Sequence, residues 1–327
     1  MSGHLTKSRL RAACAPGAGD MAGTRKDIKD KAVDIAIRGL LAAMLVLPYR
    51  WRVPATGWIA SRLIAPLAGW TGRIRENLAY VCPELGEAEV RRIARAVPDN
   101  AGRTLIEMYS SARFAEHVRD TPLSGPGAEA LSAALDDGGP ILLVTGHYGN
   151  YLVPRAALAT RGVQLGALYR PMSNARFNEH YVAAMADAEA PVFPATRRGL
   201  VEMIRFLAKG NTLGVLTDIY VSGGAPVTFF GKPAKTSTSV SEWAMKYGAR
   251  VFPIYGRRRV GGLDFDLVVD GEIPHTDPVA MTQAINDSLE AEVRRHMDQW
   301  FWIHRRWKPD REDEGDQRAR AAASTAP

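Results

Sequence analysis

Residues 141–158 read ILLVTGHYGNYLVPRAAL, and this stretch decides the fold. A run of leucine and β-branched residues ends at Gly146 and His147, and a helical period follows at once, from about Tyr151 to Thr160. A buried strand passing directly into a helix is the repeating unit of an α/β sheet. Working outward, the alternation recurs: QLGALYR then 175–189 helical, PVFP then 199–209, TLGVLTD, a loop ending in APVTFFG, 237–247 helical, RVFPIYG, LDFDLVV and 278–297 helical. The pattern predicts an α/β fold, a mostly parallel mixed sheet flanked by helices. Functional groups in such folds gather at the carboxyl ends of strands.

The chain before this unit has a different character. Residues 32–47 form an apolar stretch interrupted by Asp34 and Arg38 and closed by Pro48, shorter than the ~20 apolar residues a spanning helix needs. A second segment, TGWIASRLIAPLAGW, carries Trp58 and Trp70 near its ends with Arg62 inside. Tryptophans so placed, with Lys26, Lys29, Lys31, Arg50 and Arg52 flanking the first segment, suit helices lying on a membrane surface; two amphipathic helices packed on the core fit the pattern equally well. A charged helix, GEAEVRRIARAV, is expected to stop near Pro98, with another over 99–116. The expected organisation is a disordered extension or mis-assigned start over 1–25, membrane-associated helices over 26–120, the α/β domain over 121–309 and a disordered tail over 310–327.

With 327 residues, 46% of them hydrophobic, the chain can fill a large core. Its two cysteines, Cys14 and Cys82, are too few and too far apart to suggest a zinc site or a disulfide framework. A net charge of +7 and a pI near 9.5 suit an acidic partner: nucleic acid, anionic lipid or an acidic carrier protein. Nucleic acid ranks last, because no recognisable binding module is present.

His147, exposed at a strand-to-helix turn, is placed to act as a general base. Free amides at the helix start would face a developing oxyanion. The next acidic residue along the chain is Glu179, so no neighbour in sequence holds the far ring nitrogen. Arg170 in ALYRP, Arg197 and Arg198 at a helix start, Asp218 in GVLTD and His304, Arg305 and Arg306 in WFWIHRRW would together make a cationic rim along one sheet edge. Taken singly, each is more often a surface ion pair.

The ordered series NLAYVCPEL, GHYGNY, LYRP, TD followed by a glycine loop and VTFFG, and QWFWIHRRWKP resembles the lipid A biosynthesis acyltransferases, over about residues 32–309. The resemblance implies an enzyme on the cytoplasmic face of a bacterial inner membrane. It would move a fatty acyl group from an acyl-carrier-protein thioester to a hydroxyl of a lipid A precursor or related membrane lipid, with no metal or other cofactor. It also implies His147 as the base, with Asn150, Arg170, Arg305 and Arg306 as substrate-binding residues. The family's motif is a histidine, four residues, then an acid, and here the fifth residue is Leu152. Three readings stand. Another carboxylate, Asp218 or Glu107, reaches His147; the chain is a weak or inactive relative that binds lipid; or the scaffold carries an isolated loss of function. Persistence of His147, Arg170, Asp218 and His304 to Arg306 favours activity. The Trp300, Phe301, Trp302 and Trp307 cluster reads as core packing beneath the sheet edge.

Overall fold

The computed structural model describes residues 34–308 apart from 36, 172–174 and 187–190, so the extension expected at 1–25 and the tail at 310–327 lie outside the described residues. Among the described residues six helices precede the sheet domain proper: α1 (37–46), α2 (Tyr49–Ile59), the short α3 (Ala65–Leu67), α4 (Trp70–Val81), α5 (Glu87–Met108) and α6 (Ser111–Val118), with a π-helical turn (Ala60–Ile64) joining α2 to α3.

Pro98 does not end a helix. It lies inside α5, which runs unbroken through the expected boundary. A proline in a helix interior forfeits one hydrogen bond and crowds the preceding turn. Tertiary packing compensates, because α5 lies along α2 and the π-helical turn at very short range. A side chain on Gly102 would meet Ala60 Cβ at 2.5 Å and the Thr56 carbonyl at 2.7 Å, so glycine permits the approach that carries the helix past its proline.

Seven described strands form the sheet, in the order β1-β9-β8-β2-β5-β3-β4, and β6 (Thr228–Phe229) and β7 (Lys232–Pro233) pair apart from it. β2 (Ile141–Thr145) is central, parallel to β5 (Thr212–Leu216) on one side and β8 (Arg250–Arg258) on the other. β5 continues in parallel to β3 (Leu165–Tyr169) and then β4 (Val192–Pro194). The single reversal is β8 against β9 (Phe265–Val269), which carries the short edge strand β1 (Leu123–Ser124). All five residues of β2 are buried, as its unbroken apolar run implies for a strand covered on both faces. The expected mixed, mostly parallel sheet is therefore present. β1 and the helix α7 (Ala128–Asp137) were not anticipated, the strand being two residues long.

Helices α8 (Val153–Ala159), α9 (Ala175–Ala186), α10 (Arg197–Ala208), α11 (Ser239–Tyr247) and α12 (Pro278–Arg295) follow their strands close to the expected bounds. Three apolar clusters form the core around the sheet, the first joining it to α4 and α5 and the second to α6. One is aromatic, with Trp300 and Trp302 fully buried against Tyr148, Phe229 and Phe230, which places the tryptophans in the interior as expected. A π-helical turn and three-residue helix joined to α2 leave Trp58, Leu63, Ile64 and Leu67 exposed. Arg52, expected as a flanking surface charge, is instead buried, donating to the Leu45 carbonyl at 3.2 Å and lying over the Tyr49 ring.

Replacing Gly102 tests the close approach of α5. Gly102→Val is expected to lower the unfolding free energy by about 1–3 kcal/mol through overpacking, read as a drop in denaturant midpoint. An unchanged midpoint would contradict the packing described.

Candidate active site

His147 and Asp218 are brought together by strand register. β2 and β5 are parallel neighbours with Thr145 opposite Leu216, and each functional residue lies two positions beyond its strand's last paired residue. The pair thus sits at the carboxyl edge of the sheet, where the backbone leaves the ladder and side chains become available. His147 Nδ1 is 2.8 Å from Asp218 Oδ1. A carboxylate only accepts, so the contact fixes Nδ1 as the protonated nitrogen and leaves Nε2 with its lone pair.

Asp218 has no exposed surface, and three donors share it. Besides the imidazole, the His147 amide donates to Oδ2 at 2.7 Å and the Trp300 indole at 2.9 Å. Full burial pushes the carboxyl pKa up; the His147 charge and its hydrogen bonds outweigh that and hold it well below the usual carboxylate range. Gly146 makes room for this arrangement, since a Cβ there would meet Leu289 at 2.7 Å and Asp218 Oδ2 at 3.0 Å.

The GHYGN turn is pinned from three sides. The Gly149 amide donates to the Gln299 carbonyl and the Phe301 amide to the His147 carbonyl, while the Asn150 amide donates to the Gly256 carbonyl of β8. Gly149 has φ +53° and passes so close to Gly256 that a Cβ would lie 2.1 Å from its carbonyl oxygen. Beneath, Glu107 of α5 accepts from Asn150 Nδ2 at 2.7 Å and forms a buried pair with Arg258 at 2.6 Å. Glu107, one of the two carboxylates considered for His147, is thus committed to holding the turn.

Asn150 does not line the substrate space. It is fully buried, and its Oδ1 accepts from the Leu152 amide at 2.9 Å. Four of the amides at this turn, those of Gly149, Asn150, Leu152 and Val153, bond within the fold and do not face an oxyanion.

His304 closes the other side of the pair, its ring edge-on to His147 with centroids 4.5 Å apart. Asn77, in the NLAYV motif of α4, donates to the Trp302 and His304 carbonyls at 2.7 and 2.9 Å and so sets the segment's position. Burial, followed by the nearby His147 charge, lowers the His304 pKa from 6.5 to about 4. Arg306 corrects an expectation: it is fully buried, donating to the Ile219 and Lys235 carbonyls and to Thr236 Oγ1, and it ties residues 219–236 to the segment after Trp302 rather than lining the cavity. Arg198 pairs with Glu202 on the exposed face of α10, and neither it nor Arg197 lines the cavity.

The cavity at the pair measures about 730 Å³. His147, Tyr151 and His304 line it, with Leu143, Leu165 and Ile254 giving it an apolar depth and Arg170, Arg305 and Lys308 a cationic mouth. A polar reactive end above an apolar pocket suits a substrate with one polar group and a hydrocarbon body.

The model of the bacterial lipid A biosynthesis acyltransferases matches residues 24–309. The chain belongs to this family. It is also 25% identical over 289 residues to a phosphatidylinositol mannoside acyltransferase of Mycolicibacterium smegmatis (strain ATCC 700084 / mc(2)155), the match covering 80% of this chain and 92% of that protein. Family membership supports transferase activity. Set against the family's motif, the position of the acid is held by Leu152, and the carboxylate in hydrogen-bond contact with His147 is Asp218, two residues beyond β5.

Asn77 and Trp300 were missed as site residues. Both act through backbone or carboxylate contacts across more than 80 residues of sequence, and only the motifs containing them were visible beforehand.

His304 gives the site a pH signature. The unfolded chain protonates this histidine below about pH 6.5, the folded chain only near 4, so between those values the unfolded state binds more protons and stability falls as pH falls. The effect, on the order of 3 kcal/mol, is complete by about pH 4. In His304→Asn the stability measured from pH 6.5 to 4 is expected to fall less steeply than in the wild type; equal slopes would contradict the buried neutral imidazole.

Proposed function

We infer that the protein transfers a fatty acyl group from a thioester to a hydroxyl of a membrane lipid. The observation that carries this reading is the 2.8 Å contact between His147 Nδ1 and the buried Asp218 carboxylate. With Nδ1 protonated and held, Nε2 accepts the proton of the acceptor hydroxyl as its oxygen attacks the thioester carbonyl. The tetrahedral oxyanion collapses, the C–S bond breaks, and the leaving thiolate takes the proton back from the imidazolium. Asp218 stays ionised throughout, orienting the ring and stabilising its charged form. The acid that the motif lacks at Leu152 is supplied from β5, and this favours a working enzyme over a lipid-binding relative, which would leave His147 among apolar neighbours.

The donor we assign is acyl-carrier-protein thioester, whose acidic carrier suits the cationic mouth of Arg170, Arg305 and Lys308. The acceptor is a lipid A precursor or related lipid with an anionic headgroup, such groups matching the same arginines. A place on the cytoplasmic face of the bacterial inner membrane is supported by Trp51, Trp58, Leu63, Ile64 and Leu67, exposed beside Arg50 and Arg62. Among the described residues no helix is long and apolar enough to cross a membrane.

Acyl transfer is measured in membranes carrying each variant. His147→Ala is expected to abolish it and Asp218→Asn to reduce it by roughly 10⁴-fold, the size seen when an orienting acid is neutralised. Leu152→Asp is expected to give no gain, because the Nδ1 position is already filled. Wild-type rates equal to those of His147→Ala, or a gain in Leu152→Asp that survives Asp218→Asn, would overturn the assignment.

A further inference from the structure

Away from the His147 cavity, a basic depression lies where α2 and the π-helical turn meet α5. It measures about 490 Å³, and Trp58, Arg62, Arg91 and Arg95 line it. Trp58 and Arg62 lie four residues apart, as do Arg91 and Arg95, so each pair shares one helix face. Ser61 Oγ donates to the Arg95 carbonyl at 2.7 Å, which seats the turn against α5. Ala88 and Ala96, also in the lining, are small and leave the space between the arginines open.

The charges around it are not balanced. Arg92, also on the lining, is taken by Glu89 and Asp298 at 2.8 and 2.7 Å, and Asp99 by Arg103. Arg91 pairs with Glu87 at 3.2 Å in an exposed contact, of a kind worth little. Arg62 and Arg95 are exposed and have no acidic partner among the described residues. Two such guanidinium groups on one depression match a phosphate, which arginine binds bidentately. Beside them the surface turns apolar: Trp58 is 55% exposed, Leu63 51% and Leu67 91%, with Ile64 among them. Inorganic phosphate would use only the arginines. A bilayer of anionic phospholipid satisfies both features, its phosphates meeting the cations and its hydrocarbon the ridge.

We propose that the depression between Arg62 and Arg95 binds the phosphate of an anionic membrane phospholipid while Trp58, Leu63, Ile64 and Leu67 enter the acyl boundary of the same leaflet. This rests on the membrane reading above and adds to it a lipid-binding site apart from the catalytic cavity, with which it shares no lining residue. Each arginine held near an anionic bilayer adds about five-fold to binding, and the effect fades as salt screens it. The apolar ridge acts on any bilayer, so lipid charge separates the two parts.

Binding of the full chain, without substrate, is measured by sedimentation with vesicles of phosphatidylcholine alone and of phosphatidylcholine mixed with an equal part of phosphatidylglycerol. The Arg62→Gln/Arg95→Gln variant is expected to bind the anionic vesicles roughly 25-fold more weakly, with binding to neutral vesicles unchanged. Ala88→Glu, which sets a carboxylate on the depression, is expected to weaken the same binding and serves if the double variant fails to fold. Leu67→Gln is expected to weaken binding to both kinds of vesicle. Arg197→Gln/Arg198→Gln, which removes the same charge from the exposed start of α10, is expected to bind as the wild type does. Unchanged binding when Arg62 and Arg95 are replaced, or an equal loss in the α10 variant, overturns the proposal. So does a loss seen only for added acyl-carrier-protein, which would assign these arginines to a protein partner. Failure of the wild type to bind either vesicle removes the membrane reading together with the proposal. The transferase reading is tested apart, because His147→Ala is expected to bind vesicles as the wild type does.

Discussion

Asp218 is the group on which the rest of the site depends. Its carboxylate lies fully buried at the end of β5 and takes donors from the imidazole and amide of His147 and from the indole of Trp300. Burying an ionised carboxylate is costly unless it is paired and its lone pairs are satisfied. Here all three partners come from elements that also position the GHYGN turn. The same contacts that keep the charge ionised therefore fix the ring tautomer, the strand-to-helix turn and the segment that brings His304 alongside. Breaking any one exposes the others to an unpaired charge.

The reason a carboxylate from β5 can replace one on the helix after His147 is geometric. A motif acid five residues on would approach the ring from α8. The parallel pairing of β2 and β5 supplies a second approach at the same height above the sheet, because both residues lie two beyond paired positions. With Asp218 on the ring, Leu152 at the start of α8 is part of the lining of the cavity.

Much of this was legible in the sequence, for identifiable reasons. The apolar run of β2 is unbroken because that strand is covered on both faces, and the alternation of apolar runs with helical periods located the sheet and its carboxyl edge. His147 and Asp218 could each be named, Asp218 as one of two carboxylates that remained open. Choosing between them required strand order, which pairs β2 with β5 and leaves Glu107 facing Arg258. Pro98 misled because a local rule was overridden by the contact of Gly102 with α2. Arg306 misled because its role is to satisfy carbonyls of a loop 70 or more residues away, which sequence does not display.

The central claim is that Asp218 holds His147 through Nδ1, and the most direct measurement is the nitrogen NMR spectrum of the His147 ring. The account predicts a neutral ring protonated on Nδ1, with a downfield proton from that hydrogen bond, lost in Asp218→Asn and retained in Leu152→Asp. A ring protonated on Nε2 in the wild type, or an Nδ1 signal unaffected by Asp218→Asn, would contradict it.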